Sequence, residues 1–203
     1  MILEPYKPID AKEFVFQFNN FKSRYGILNV NYTEIPESFI NSYNSLMVQM
    51  EKEDISSQSS ENPVINAYYF LGKRVRLHQA YLMERFIYHL KKGHLRIAMC
   101  LARQLGKSID LGLLLEWICW YNKMPVTISN ITISYVTSRD DETAVEFLEK
   151  LRLILYDGDK HMEKFSDTPN FFTGSLKEPN NTHQITFLNN CFIKSIPPTM
   201  KGL

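Results

Sequence analysis

Residues 64–92 decide the fold class that we predict for this chain, and they read VINAYYFLGKRVRLHQAYLMERFIYHLKK. Apolar side chains recur here at helical spacing, from Val64 through Leu71 and Val75 to Leu90. Gly93 follows the last of them, and glycine commonly ends a helix. The stretch therefore predicts one long amphipathic helix, with Gly72 as its weakest point.

Other amphipathic segments lie on both sides of this helix. Asp10 followed by Glu13 is a capping-box pattern, which marks the start of a first helix. Trp117 and Ile118 are predicted to pack against the long helix from a neighbouring one. The additional helices are predicted at about 11–25, 33–50, 95–105, 108–122 and 138–155.

Strand signals are fewer and shorter. Residues 126–136 are rich in Val, Ile and Thr, and residues 185–193 carry a weaker pattern of the same kind. The chain is therefore predicted to be mainly α, a bundle-like single domain with a minor β element at about 126–136 and a second candidate at 185–193.

The predicted organisation has four parts. The polar stretch DISSQSSENP, at residues 54–63, has no periodicity, so we expect a flexible linker that proteases cut first. We expect an N-terminal helical pair at 1–53, the linker at 54–63, a central helical core with one short β segment at 64–160, and an irregular C-terminal segment packed on that core at 161–203.

Composition and cysteine spacing indicate which compartment and which kind of partner to expect for this chain. Hydrophobic residues make up 44% of the 203 residues, which is enough for a real core. The first residues lack an apolar region typical of secretory signals, and the three cysteines are odd in number and widely spaced. The tightest apolar cluster, 109–121, is too short for a membrane helix. We therefore expect free thiols, no membrane partner and an intracellular location, in cytoplasm or nucleus.

Motifs for catalysis are missing from the sequence. No histidine or cysteine pair has zinc spacing, and no phosphate loop, nucleophile elbow or dinucleotide fingerprint occurs. We expect no catalytic residue, no metal and no cofactor. One alternative stays open: Asp140, Asp141 and Asp157 could converge as a metal-dependent enzyme site near 140–159. Ordinary helix-start and turn chemistry explains the same residues.

The informative signal is charge segregation. Residues 64–107 hold nine Lys and Arg side chains and one acidic residue, Glu84, although the whole chain has a net charge of only +1. Basic and aromatic residues within this region step by three and four, so they form one line on the predicted helix. The candidate polyanion- or partner-binding residues are Arg74, His78, Tyr81, Arg85, His89, Lys92 and Arg96.

Three interpretations of this line are open. It could contact the phosphate backbone of a nucleic acid, with Tyr81 stacking on a base. It could bind an acidic protein surface, or it could be a helix flank that is solvated or paired within the fold. We favour a non-enzymatic helical adaptor or complex subunit that acts through the basic helix at 64–107. A nucleic-acid-binding regulator, viral or replication-associated, is the alternative.

A short segment of the same helix resembles a known family. Arg76–Arg85 reads RLHQAYLMER, and its Ala-Tyr pair between arginines is similar to the long-helix motif in the first subunit of the eukaryotic GINS replication complex. The resemblance covers about a tenth of the chain and implies a non-enzymatic subunit. Residues 126–203 show no pattern of that family's small C-terminal β domain, so family membership does not follow.

Overall fold

The computed structural model describes residues 5–14, 35–92, 107–121, 133–136, 141–165, 170–177 and 182–196. Its helices are α1 (Glu37–Lys52), α2 (Pro63–Tyr69), α3 (Leu77–Lys91), α4 (Lys107–Trp120) and α5 (Asp141–Met162), with 3-10 turns at Ser56–Gln58 and Thr173–Ser175. Its strands are β1 (Ile133–Val136), β2 (Gln184–Thr186) and β3 (Phe192–Ser195). The predicted fold class, mainly α with a minor β element, is confirmed.

The strands form one small sheet in the order β1-β3-β2. β1 runs parallel to β3, with Ile133 opposite Phe192, and β2 runs antiparallel to β3, with Ile185 opposite Ile193. Ile185 and Ile193 are fully buried against α4 and α5. Both predicted strand regions therefore contribute, although residues 126–132 lie outside the described part of the chain.

Helix α4 is the centre of the core. Its residues are apolar around nearly the whole circumference, a pattern typical of a helix enclosed on all sides. It packs most extensively on α5 and also contacts α2, α3 and β3. Trp117 and Ile118 are buried there, which confirms their predicted place in the core.

The prediction of one continuous helix over 64–92 is wrong. α2 ends at Tyr69, the chain turns through Gly72 at a φ of 61°, and α3 begins at Leu77. Only glycine adopts that backbone conformation without strain. A contact from α1 stabilises this turn, because the Tyr43 hydroxyl donates to the Val75 carbonyl at 2.6 Å. A tertiary contact thus divides a stretch whose periodicity is helical throughout.

Residues 54–63 form a packed turn rather than an open linker. Ile55 and Ser59 are buried, and the Trp117 indole Nε1 donates to the Ser59 carbonyl at 2.8 Å. The exposed Asp54 accepts a bond from the Ser56 amide at 2.9 Å, which lowers the pKa of its carboxyl. The polar composition of the segment reflects local turn hydrogen bonds. The predicted protease sensitivity of this segment has no support in these contacts.

Helix α5 extends past its predicted stop at Tyr156–Asp159 to Met162. Gly158 stands inside the helix because α5 presses closely on its neighbours: a Cβ there would lie 2.9 Å from both Leu71 and Phe172. The buried Asp159 carboxylate then accepts from the backbone amides of Phe172 and Thr173 at 2.5 and 3.1 Å.

The predicted irregular segment 161–203 contains regular structure in its described part, which supplies β2, β3 and the 3-10 turn Thr173–Ser175. In the predicted N-terminal pair, Asp10 caps a helical turn at 11–14 by accepting from the amides of Lys12 and Glu13. The second helix begins after Pro36 rather than at Thr33. The rest of the first helix, 15–25, and the predicted helix at 95–105 lie outside the described residues.

Candidate binding surface

The predicted binding residues that the structure describes do not all lie along one helix. Arg74 precedes α3 instead of lying on it, and Lys92 follows the helix as its C-terminal cap. Arg96 lies outside the described residues. The residues on α3 itself are His78, Tyr81, Arg85 and His89.

Arg74 is engaged inside the fold. Its guanidinium forms a 2.8 Å salt bridge with Glu51 and lies 5.8 Å from the ring centroid of Tyr6. Glu51 also accepts from the Tyr6 amide at 2.6 Å, so this one carboxylate of α1 holds both the turn before α3 and the N-terminal segment. Its neighbour Lys73 forms a 2.7 Å ion pair with Asp157. The placement of Arg74 on one line with Arg85 is therefore wrong, because the chain turns between them.

His78 and Tyr81 face other helices. The Tyr81 ring is half-buried and packs edge-to-face on Phe39, with ring centroids 4.9 Å apart. His78 is half-buried near Asp110 of α4. Burial raises the pKa of Asp110 to about 6, while the charge of His78 and a hydrogen bond from Gln79 act in the opposite direction. Both residues hold α3 in place.

The second half of α3 and its C-terminal cap carry a cluster that we call the basic patch: Arg85, His89, Lys91 and Lys92, together with the aromatic ring of Tyr88. Tyr88 is 48% exposed. The Arg85 guanidinium lies 5.1 Å from its ring centroid and Lys92 Nζ lies 5.7 Å from it, both within cation–π range. Arg85 also donates to His89 Nε2 at 3.3 Å.

Three cations of the basic patch are not neutralised within the described part of the chain. No carboxylate among these residues forms an ion pair with Arg85, Lys91 or Lys92. Cations in a last helical turn interact favourably with the helix dipole, which accounts for part of this placement. Three uncompensated cations beside an exposed tyrosine nevertheless form a surface suited to an anionic partner.

A groove of about 550 Å³ opens between α1 and α3, beside the basic patch. Phe39 and Leu46 of α1 and Ile87 of α3 supply apolar side chains to it, and all three are half-buried. Arg85 and Lys91 line it as well, so the groove and the patch share two cations. Sequence reasoning missed this groove because it exists only where two helices meet. In the sequence, Phe39 and Leu46, seven positions apart on α1, show only that they share one apolar face.

The predicted acidic site does not assemble. α5 is continuous from Asp141 to Asp157, so the two carboxylates stand about 24 Å apart along its axis at 1.5 Å per residue. Asp159 is buried as a backbone cap, and Asp140 lies outside the described residues. Within the described ranges, no three His, Cys, Asp or Glu side chains come together as a group able to hold a metal ion.

One serine, histidine and aspartate do approach each other where β2 and β3 meet the start of α5. Ser195 Oγ lies 3.0 Å and Asp141 Oδ1 lies 3.8 Å from the same nitrogen, Nδ1 of His183. A nucleophile–base–acid relay needs its partners on opposite ring nitrogens, and Ser195 is buried. The contact therefore links the sheet to the helix and lacks the geometry of a catalytic triad.

Among the described residues, Glu116 has the most strongly shifted pKa, and the sequence analysis assigned it no role. It is fully buried in α4 and accepts from Asn66 Nδ2 at 2.8 Å, while its Oε1 has no hydrogen-bond partner among the described residues. Burial raises its pKa to about 8, opposed by the Asn66 bond. The signal for it was a carboxylate in the middle of the apolar stretch 109–121, with Leu113, Leu114 and Leu115 directly before it.

Comparison with known proteins adds no assignment: no family model, no curated protein and no solved structure matches this chain. Among the described helices, none has both the length and the apolar composition that crossing a bilayer requires.

Proposed function

We propose that this protein is a non-catalytic adaptor or complex subunit that binds an acidic protein surface through the basic patch. The observation that carries the proposal is that Arg85, Lys91 and Lys92, at the end of α3 that exposes Tyr88, form no ion pair with a carboxylate of the described residues. Charge at the rim of an interface chiefly selects the partner and speeds association. An exposed tyrosine among those charges is the residue type that interfaces favour as an anchor.

Two features favour a protein partner over a nucleic acid. The Tyr81 ring, predicted to stack on bases, is already packed on Phe39. The remaining basic patch also adjoins an apolar groove, which suits protein side chains rather than a phosphate backbone.

The test is affinity purification of the tagged full chain from its native cells, with nuclease treatment of every sample. We expect a partner that survives the nuclease, is retained by Lys194→Glu, and is lost from the double variant Arg85→Glu and Lys92→Glu. Lys194 is a suitable control because it is an exposed lysine on β3, away from α3.

A second measurement addresses the nucleic-acid alternative directly. Fluorescence anisotropy with labelled duplex and single-stranded oligonucleotides, over a salt series, should show no binding that the double variant removes. Steeply salt-dependent binding that Arg85→Glu and Lys92→Glu abolish would replace the proposal with the nucleic-acid reading. A partner retained by both the double variant and the control would refute any role of the basic patch.

A further inference from the structure

We infer that the groove between α1 and α3 is the docking site for an acidic, amphipathic segment of the partner, an inference that rests on the proposed function. The segment would place apolar side chains against Phe39, Leu46 and Ile87 and direct its carboxylates to Arg85 and Lys91.

The shape of the groove selects the class of ligand. Two helices form its walls, and Pro63 and Val64 at the start of α2 line one part of it. Its volume of about 550 Å³ is suited to several side chains rather than to a whole domain. An amphipathic helix or extended segment that lays its apolar face between two helices is an established mode of recognition.

The charge around the groove selects the chemistry of that segment. Arg85 and Lys91 lie on the same wall and are free of ion pairs with the described residues. Glu84 lies beside them on α3, and Glu61 lines the groove from the turn before α2. A segment with carboxylates toward Arg85 and Lys91 is therefore attracted, and one that places acidic residues beside Glu61 and Glu84 is repelled.

The serines of α1 provide a matched pair of variants. Ser42 and Ser45 are both exposed, and each donates its hydroxyl to the carbonyl four residues earlier at 3.0 Å. Ser42 lines the groove, whereas Ser45 does not. Ser42→Phe therefore fills the groove without removing a core contact, and Ser45→Phe adds the same ring elsewhere on the same helix.

The experiment uses a displayed library of random peptides of about 14 residues, roughly four helical turns, selected against the full chain. A selected peptide is then synthesised with a fluorophore, and its affinity is measured by anisotropy for each variant. We expect selected peptides that combine Asp or Glu with large apolar residues. Ser42→Phe should weaken binding at least about tenfold, the loss of one well-packed contact region, while Ser45→Phe leaves it unchanged.

Other results would separate the two proposals. Peptide binding that Arg85→Glu with Lys92→Glu abolishes, but Ser42→Phe leaves intact, would overturn the groove and keep the basic patch. Selected peptides that are basic or uncharged, or binding indifferent to all these changes, would overturn the inference outright. Circular dichroism and melting of each variant must match the parent protein, which separates loss of binding from loss of folding.

Discussion

Replacing Glu116 with glutamine should change how the stability of this protein depends on pH. The Glu116 side chain is fully buried, with Asn66 as its hydrogen-bond donor and one oxygen without a partner among the described residues. Burial raises its pKa from the ordinary 4.5 to about 8. Glutamine keeps the shape and the acceptor for Asn66 but cannot ionise.

The direction in which stability changes with pH follows from the number of protons bound in the folded and unfolded states. Between pH 4.5 and 8 the folded protein keeps the Glu116 proton, while the unfolded chain releases it. Stability therefore falls as pH rises through this window, by up to about 1.4 kcal/mol per pH unit. At pH 7 the accumulated loss is on the order of 3 kcal/mol relative to pH 4.5, and the Glu116→Gln variant should not show it.

Neighbouring titratable groups do not contribute to this difference in pH dependence between the parent protein and the Glu116→Gln variant. Tyr121 donates a hydrogen bond from its hydroxyl to Asn66. Burial is the main cause that raises the pKa of Tyr121 to about 12, and the nearby Glu116 is the second. Tyr121 therefore stays neutral throughout the window. Asp110 has a pKa raised to about 6 and contributes a decline of the same sign, but it is present in both proteins and cancels in their difference.

The assay is urea-induced unfolding of parent and variant at several pH values from 4 to 8, analysed as the difference in unfolding free energy. Glu163→Gln, at an exposed position just after α5, is measured in parallel as the control for removing a surface carboxylate. A Glu116→Gln difference that does not vary with pH would mean that the carboxylate is already ionised in the fold, which would refute the reasoning.

Three further outcomes follow from the packing. Trp117→Ala should lower the free energy of unfolding by about 3–5 kcal/mol in urea titrations, because the indole is 3% exposed; a cost of a few tenths would contradict that burial. Gly158→Ala should cost about 1–3 kcal/mol, since its Cβ would lie 2.9 Å from Phe172, whereas Gly174→Ala should be nearly neutral by thermal melting. Limited proteolysis should spare residues 54–63, and a first cut there, located by mass spectrometry, would refute their packing.

Local pattern was enough for the class of fold. The spacing of Phe39, Tyr43 and Met47 predicts α1, and the β-branched residues near Ile185 and Ile193 predict short strands, although their pairing is seen only in the structure. These features follow from periodicity, which depends only on residues within a few positions of each other. The burial of Trp117 could be predicted for the same reason, because its helix is apolar on nearly every side.

Part of the basic patch could be predicted from the sequence. Arg85, His89 and Lys92 share a face by helical spacing alone, and the structure keeps them together. Arg74 was assigned to the same face because nothing local distinguishes it, yet its charge is neutralised by Glu51, 23 positions away. Whether a cation is free or paired depends on such distant partners.

The remaining features were decided by tertiary structure. The helix break at Gly72, the packed turn at 54–63 and the groove beside the basic patch each depend on groups far apart in the chain, such as Tyr43 with Val75 and Trp117 with Ser59. Periodicity states which side of a helix is apolar, but not which helix covers it. The sequence alone therefore determined the elements and their inward faces, and only the packing of those elements decided where a helix ends, which charges remain available and where a partner can bind.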